Sequence, residues 1–432
     1  MKRILGWTVA MLLAGVLALG ISWVYYAPPQ EIRGTWKTDG YGLVIDITGL
    51  TINVYQSGDT YCIHDQKAPA HMGLVNLVEG VTFDITDDRL KLTSSGILNP
   101  IYADRIAEVP ALCDTPPSNS EASIFDAVWG AMNSHYAHFD THGIDWAARQ
   151  SLRPTAGSSR DDAGVLALLK DLLAGLDDNH VYIATDTDVW SPALPTAWHD
   201  ARHLVRDTTL AAVPDLSAPS ATGLQVGWAA PNIGYVYMAH MAPNTGIGQR
   251  ANVAASQALS QVLAYLSDAD GIILDVRYNP GGSDDVAMAY TGYFTDSALP
   301  AFTKTTRTDN GYTTPFTAML TPHPATTDIP TVVLTSPYTG SAAEIFTLAM
   351  RELPQVTTMG GSTSGSLSDV MTVTLPNSWE LGLSHQRYLS MTGDSFEHIG
   401  IPPDVTIPVD VTAAQSGQDT ILDAAISLLQ TR

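Results

Sequence analysis

Ser341 is the residue of this chain best placed to act as a nucleophile. It lies in the stretch Thr331 to Arg351, TVVLTSPYTGSAAEIFTLAMR. The short apolar run Val332-Val333-Leu334 breaks at Ser336-Pro337-Tyr338-Thr339-Gly340. A helical pattern follows, with Ala342, Ile345, Phe346 and Met350 at helix spacing. A serine at such a junction projects its hydroxyl from the end of a buried strand. The first N–H groups of the helix, that of Ala342 among them, face any oxygen docked beside it. A nucleophile and half an oxyanion hole are what acyl transfer requires. The same residues also fit an ordinary N-cap serine.

A second donor and a base are needed. GIILDVRYNPGGS, from Gly271, reads as a buried strand ending at Arg277, then a tight turn at Asn279-Pro280-Gly281-Gly282. Two glycines after proline let the backbone turn sharply and aim N–H groups outward, so Gly281 or Gly282 can supply the second donor. A plain strand-to-helix turn accounts for the same residues. His180 follows a helical run from Val165 to Leu176 and enters the extended segment YIAT. Alone, it reads as a charge partner at a helix C-terminus. A neutral imidazole is nonetheless the usual base for a serine near pH 7. His64 and His71 near Cys62, and His199 and His203 at i and i+4, match no zinc pattern with a third ligand, so no metal site is expected.

The elements that must position these residues follow from pattern and composition. A length of 432 residues is ample for two or three domains, and a net charge of −23 argues against nucleic acid as a partner. Lys2 and Arg3 precede an uncharged, mostly apolar run from Ile4 to Tyr26, so residues 1–30 read as an export signal or a membrane anchor. Trp23, Tyr25 and Tyr26 resemble an interfacial belt, which favours the uncleaved anchor. The body is then expected outside the cytoplasm, touching the membrane through this segment only. Residues 31–113 carry the alternating segments GLVIDIT, LTINVYQ, GVTFDIT and RLKLTSS, which suggest a small antiparallel sheet or barrel. Cys62 and Cys113 are the only cysteines, and in an exported protein they are expected to pair.

Residues 114–185 are read as helical, with Ser120 or Ser123 as a cap and Phe125, Val128, Trp129 and Met132 on one apolar face. Residues 186–222 show no clear periodicity and read as a connecting segment. From 223 to 432 the strand-like segments LQVGW, IGYVYMA, GIILDVR and TVVLTS, with a helical run Asn252 to Leu266 between the second and third, imply a largely parallel buried sheet.

The set LDDNH, ILDVRYNPGGS, TSPYTGSAAE and EHIGIPPD, in that order, resembles the serine peptidases of the C-terminal processing protease and tricorn-core superfamily. The repeats of interphotoreceptor retinoid-binding protein belong to the same superfamily. The resemblance covers roughly residues 120 to 410. It implies an α/β fold: a crotonase-like ββα core with a helical N-terminal part, here preceded by the small antiparallel β domain. The processing proteases use a serine–lysine dyad, but Ser366 stands where their lysine would be, and no lysine follows Lys304. The insertion is too short for the PDZ domain those enzymes carry.

The tricorn-like branch uses a histidine from an L-x-D-x-H motif, which matches Leu176, Asp178 and His180. Its glutamate matches Glu397, ahead of Gly400-Ile401-Pro402-Pro403-Asp404. Its serine beside the histidine is replaced by Asn179, which leaves Asp178 as the fallback orienter of the base. The resemblance thus implies a serine-type endopeptidase hydrolysing peptide or unfolded protein, with no cofactor. A non-catalytic protein binding apolar ligands or peptides, and an esterase on the same residues, are the alternatives. Oligomeric state is left open.

Overall fold

The computed structural model describes residues 26–431 except 156–159, 194–196, 219–221 and 246–248. The apolar run from Ile4 therefore lies almost wholly outside the described residues, and with it the expected export signal or anchor. No helix among the described residues is long and apolar enough to cross a membrane.

Seven antiparallel strands between Gly34 and Ile106 form one sheet, in which the first strand, Gly34–Thr38, pairs with both Leu43–Ile47 and Ile101–Ile106. Trp36, Ile45, Ile47, Leu90 and Ala103 fill its core. Three of its strands, Gly34–Thr38, Cys62–Pro69 and Ile101–Ile106, and the helix Met72–Glu79 were not expected from pattern. Cys62 and Cys113 are joined in a disulfide across 51 residues.

The centre of the molecule is a six-stranded sheet. Leu224–Ala230 runs antiparallel to Ile233–Met238, which is followed by parallel neighbours Gly271–Asp275, Thr331–Thr335, Val356–Gly360 and Val405–Thr406. Alternate residues feed two cores. Val236, Leu274 and Val333 pack with Leu259 and Phe346 on one face. Tyr235, Ile273 and Val332 pack with Leu422 and Leu429 on the other. Burial on both faces explains the continuous apolar runs in these strands.

One correction concerns the segment read as connecting. It carries a 16-residue helix, Ala197–Ala212, which bears His199 and His203. Its inner face is Trp198, Val205 and the buried Thr208 and Thr209. The two threonine hydroxyls donate back to the Leu204 and Val205 carbonyls. Trp198, Ala201 and Val205 nonetheless mark one apolar face at helix spacing, a signal that the sequence reading passed over.

Lys304 is buried although its sequence neighbours are polar. It lies on the strand Leu299–Thr308 and is 2% exposed. Its ammonium donates to Asp369 at 3.0 Å and to the Tyr388 hydroxyl at 2.9 Å.

Candidate active site

Ser341 follows the buried strand Thr331–Thr335 and caps the buried helix Ala342–Met350. Its backbone has φ 53° and ψ −129°, a region that L-residues rarely occupy. Glu344 reaches back in the manner of a capping box and accepts the Ser341 N–H at 3.1 Å. The Ser341 hydroxyl stands near the Glu344 N–H, but the Ser341 carbonyl takes that N–H at 2.7 Å. The hydroxyl is therefore not committed to the helix, and Ser341 is half-exposed.

The turn after Gly271–Asp275 is pressed against this serine. A Cβ placed on Gly281 would lie 2.5 Å from the Ser341 Cβ and 3.1 Å from the Ala342 nitrogen, and Gly281 has φ 114°. Only glycine fits there. Asn279 sets the turn: its Oδ1 accepts the Gly281 N–H at 2.9 Å, and its Nδ2 donates to the Met238 carbonyl. Of the two glycines considered as oxyanion donors, Gly281 is thus already engaged. The N–H groups of Gly282 and Ala342 have no acceptor among the described residues, and Gly282 is exposed.

The loop 361–369 closes the other side. The Ser366 carbonyl accepts the second hydrogen bond of the Ser341 N–H at 3.1 Å. Glu344 holds this loop through the Thr363 hydroxyl at 2.6 Å and the Gly365 and Ser366 N–H groups at 2.7 Å each. Burial pushes the Glu344 carboxyl up to about 7, against the pull of these donors. Sequence reasoning passed over Glu344, although the S-x-x-E spacing of a capping box was there to be read.

His180 is brought to the same loop by a separate sheet. The strand Tyr182–Ala184 pairs with Glu380–Ser384, which pairs with Val370–Thr374, the continuation of the loop. The neighbouring Asn179 donates to the Ser364 and Ser366 hydroxyls, at 2.9 Å each. The Asp178 carboxylate accepts the His180 N–H at 2.8 Å, the Tyr136 hydroxyl at 3.0 Å and the Ser384 hydroxyl at 3.1 Å. Burial pushes Asp178 up, but the neighbouring His180, His398 and His138 outweigh it and hold the carboxyl below its usual range.

Burial holds the His180 imidazole below its ordinary pKa, and Asp178 and Asp369 only partly offset this. The ring is therefore neutral at pH 7. Its Nδ1 is buried without a partner among the described residues. No hydrogen bond joins the ring to the Ser341 hydroxyl. The two residues are linked instead through Ser366 and Asn179. Catalytic hydrogen bonds commonly tighten only around bound substrate.

Glu397 approaches the loop rather than the imidazole. One carboxylate oxygen accepts the N–H groups of Leu367 and Ser368, at 3.0 Å each, and the other has no partner among the described residues. Burial first, then the charges of Asp178 and Glu344, raise its pKa well above the usual value. Ser368 in turn contacts the His180 ring through its backbone, so Glu397 meets the base through one intervening residue.

Residues 232–407 match the family model described as peptidase family S41. That match covers less than half of the chain, and it fits the superfamily of C-terminal processing peptidases. Part of it is 28% identical, over 152 residues, to a carboxy-terminal-processing protease of Bartonella bacilliformis, a match spanning 35% of this chain and 34% of that relative. The crystal structure of a candidate peptidase from Parabacteroides merdae is 26% identical, covers 72% of this chain and 97% of its own, and superposes with a TM-score of 0.62. Mature CPAF shares the fold at 11% identity, with a TM-score of 0.53 over 72% of this chain and 96% of its own.

Proposed function

We propose that the protein is a serine-type endopeptidase that acts on peptide or unfolded protein chains outside the cytoplasm. Ser341 is the nucleophile, His180 the general base, and the N–H groups of Gly282 and Ala342 the oxyanion donors. The observation that carries this reading is the backbone of Ser341, a non-glycine residue held at φ 53° and ψ −129° on a strand-to-helix turn. Such strain persists where surrounding contacts over-determine it, and a strained strand-to-helix turn is where a nucleophilic serine is presented.

In this reaction the Ser341 Oγ attacks the peptide carbonyl carbon as its proton passes to His180. The oxyanion forms against the two N–H groups. The C–N bond then breaks, and the amine leaves with the proton from the imidazolium. Water attacks the acyl-serine, again through His180, and releases the carboxylate product and free Ser341. Glu344 and Glu397 act as positioning residues by fixing the loop 363–368. Asp178 fixes the His180 backbone. The Cys62–Cys113 disulfide supports an oxidising compartment.

A fluorophosphonate probe tests the site, because it reacts only with an activated serine. Wild type becomes labelled, Ser341→Ala does not, and His180→Ala is labelled far more slowly. Equal labelling of wild type and Ser341→Ala would remove Ser341 from the mechanism.

A further inference from the structure

Three side chains far apart in sequence meet behind the His180 backbone. His142 ends the short helix Phe139–His142, Asp178 lies in the turn before His180, and His398 follows Glu397. One donor atom from each lies within 4.8 Å of the others. The two imidazole rings stand 4.0 Å apart, centroid to centroid, at 61°. Both Nε2 atoms are buried and have no hydrogen-bond partner among the described residues. A histidine serving only to pack would turn such a nitrogen to solvent or to the adjacent carboxylate. His398 is also held at φ 65°, with its N–H donated to the Gly365 carbonyl at 2.7 Å. Its ring is further engaged with the Asp177 backbone. A backbone bond at one ring nitrogen, leaving the other free, is how metal-bound histidines are oriented.

We propose that His142, Asp178 and His398 form a binding site for a divalent transition metal, with Zn²⁺ as the best-matched ion. Two imidazoles and one carboxylate are a borderline-soft donor set that suits Zn²⁺ and leaves a fourth position for water. Tetrahedral Zn²⁺ with bonds of about 2.0–2.1 Å requires donors about 3.4 Å apart, so the widest pair must close by up to about 1.4 Å. His142, half-exposed at the end of a four-residue helix and followed by Gly143 at φ 63°, is the ligand free to make that move. The site is distinct from the proposed Ser341–His180 chemistry. It touches that chemistry through Asp178, which holds the His180 N–H, and through the His398 N–H, which is donated to Gly365 of the loop beside Ser341.

Binding is read directly and does not depend on peptidase activity. Untagged full-length protein is stripped with chelator and titrated with ZnCl₂ by calorimetry, and its melting temperature is followed in parallel. Wild type is expected to bind one Zn²⁺ per chain and to gain a few degrees in Tm. His142→Ala and His398→Ala should each weaken binding by about 100-fold or more and abolish the Tm gain. A His199→Ala/His203→Ala double variant should bind as wild type does. Circular dichroism without metal checks that each variant folds. If His398→Ala fails to fold, the half-exposed His142→Ala carries the comparison. No saturable 1:1 binding to wild type overturns the proposal, as does wild-type affinity in folded His142→Ala, or loss of binding in the His199/His203 variant.

Discussion

The Glu344 carboxylate accepts the N–H of Ser341 at 3.1 Å and, through its other bonds, fastens the loop that lines the opposite side of the same serine. One buried side chain therefore sets both the entry of the helix and the wall of the site. Glu344→Gln keeps the volume but replaces one acceptor oxygen with a donor that faces N–H groups. The loss of a buried acceptor costs about 1–3 kcal/mol. The expected result is a lower Tm by circular dichroism, with a larger fall in kcat than in KM. Unchanged kcat in a folded Glu344→Gln protein would show that the loop does not matter to catalysis.

Gly281→Ala probes the other wall. The added methyl meets the Ser341 Cβ at 2.5 Å and the Gly340 carbonyl oxygen at 2.9 Å, on a backbone with φ 114°. Neither neighbour is the tip of a flexible side chain, so the turn itself must shift. Strain of this kind costs on the order of 1–3 kcal/mol. Fluorophosphonate labelling should fall by at least tenfold. Labelling at the wild-type rate would mean that the turn can move without disturbing Ser341.

How far the site is legible in the sequence depends on how each residue is buried. Strands buried on both faces, such as Gly271–Asp275 and Thr331–Thr335, read directly as apolar runs. The strand Cys62–Pro69 lies at a sheet edge with most of its residues exposed, and its sequence CIHDQKAP shows no apolar alternation. The burial of Lys304 is hidden in the sequence for a related reason. The strand Leu299–Thr308 turns Phe302, Lys304 and Thr306 inward, and two of those three are polar. Ser341 and His180 stood out because each sits at a junction between elements. His142 and His398 lie 256 positions apart, and only tertiary folding brings their rings together.

Acid should weaken the fold through buried histidines. Burial lowers His135 and His385 to about 4, and for His135 the Asp309 charge and the Ser57 backbone offset only part of it. A base with a folded pKa below its unfolded value near 6.5 gives its full contribution above 6.5. That contribution is lost as pH falls towards about 4. Each histidine can remove up to roughly 3 kcal/mol over that window. Asp284 and Glu344, both raised to about 7 by burial, work in the opposite direction, becoming less costly as pH falls below about 7. The test is therefore a difference between proteins. Urea unfolding of wild type and His135→Gln at pH 7.5 and pH 5 should show a smaller acid loss in the variant. Equal losses would place the titrating group elsewhere.

The disulfide closes a loop across 51 residues and ties the end of the antiparallel sheet region back to its fourth strand. The chain-entropy estimate for that loop is about 4 kcal/mol. A Cys62→Ser/Cys113→Ser variant should melt earlier than wild type, and dithiothreitol should lower the Tm of wild type only. Identical melting of the two proteins would show that the sheet is held without the bridge.

The choice between a histidine and a lysine base rests on the charge state of Lys304. A lysine can act as a base only when neutral. Burial lowers its pKa, but Asp369 and Asp284 outweigh that and hold the ammonium above its ordinary value. Lys304 therefore stays charged, bonded to Asp369 and Tyr388. His180 is the reverse case, since burial keeps it neutral at pH 7. His180→Ala should lower kcat by roughly 10⁴-fold on a peptide ester, as removal of the base does in serine hydrolases generally. Lys304→Met should cost about 1–3 kcal/mol of stability, because it takes the ammonium from the buried Asp284 and from the one-third-exposed Asp369. The fraction that folds should keep kcat within about tenfold of wild type. With chelator present, the rise in kcat/KM should be centred below pH 6.5, whereas a lysine base would place it in the alkaline range. A folded, inactive Lys304→Met beside a His180→Ala of near wild-type rate would reverse the assignment. Full activity in both would move the base to a third residue. If wild type turned over neither ester nor peptide, that would favour a binding role for the fold.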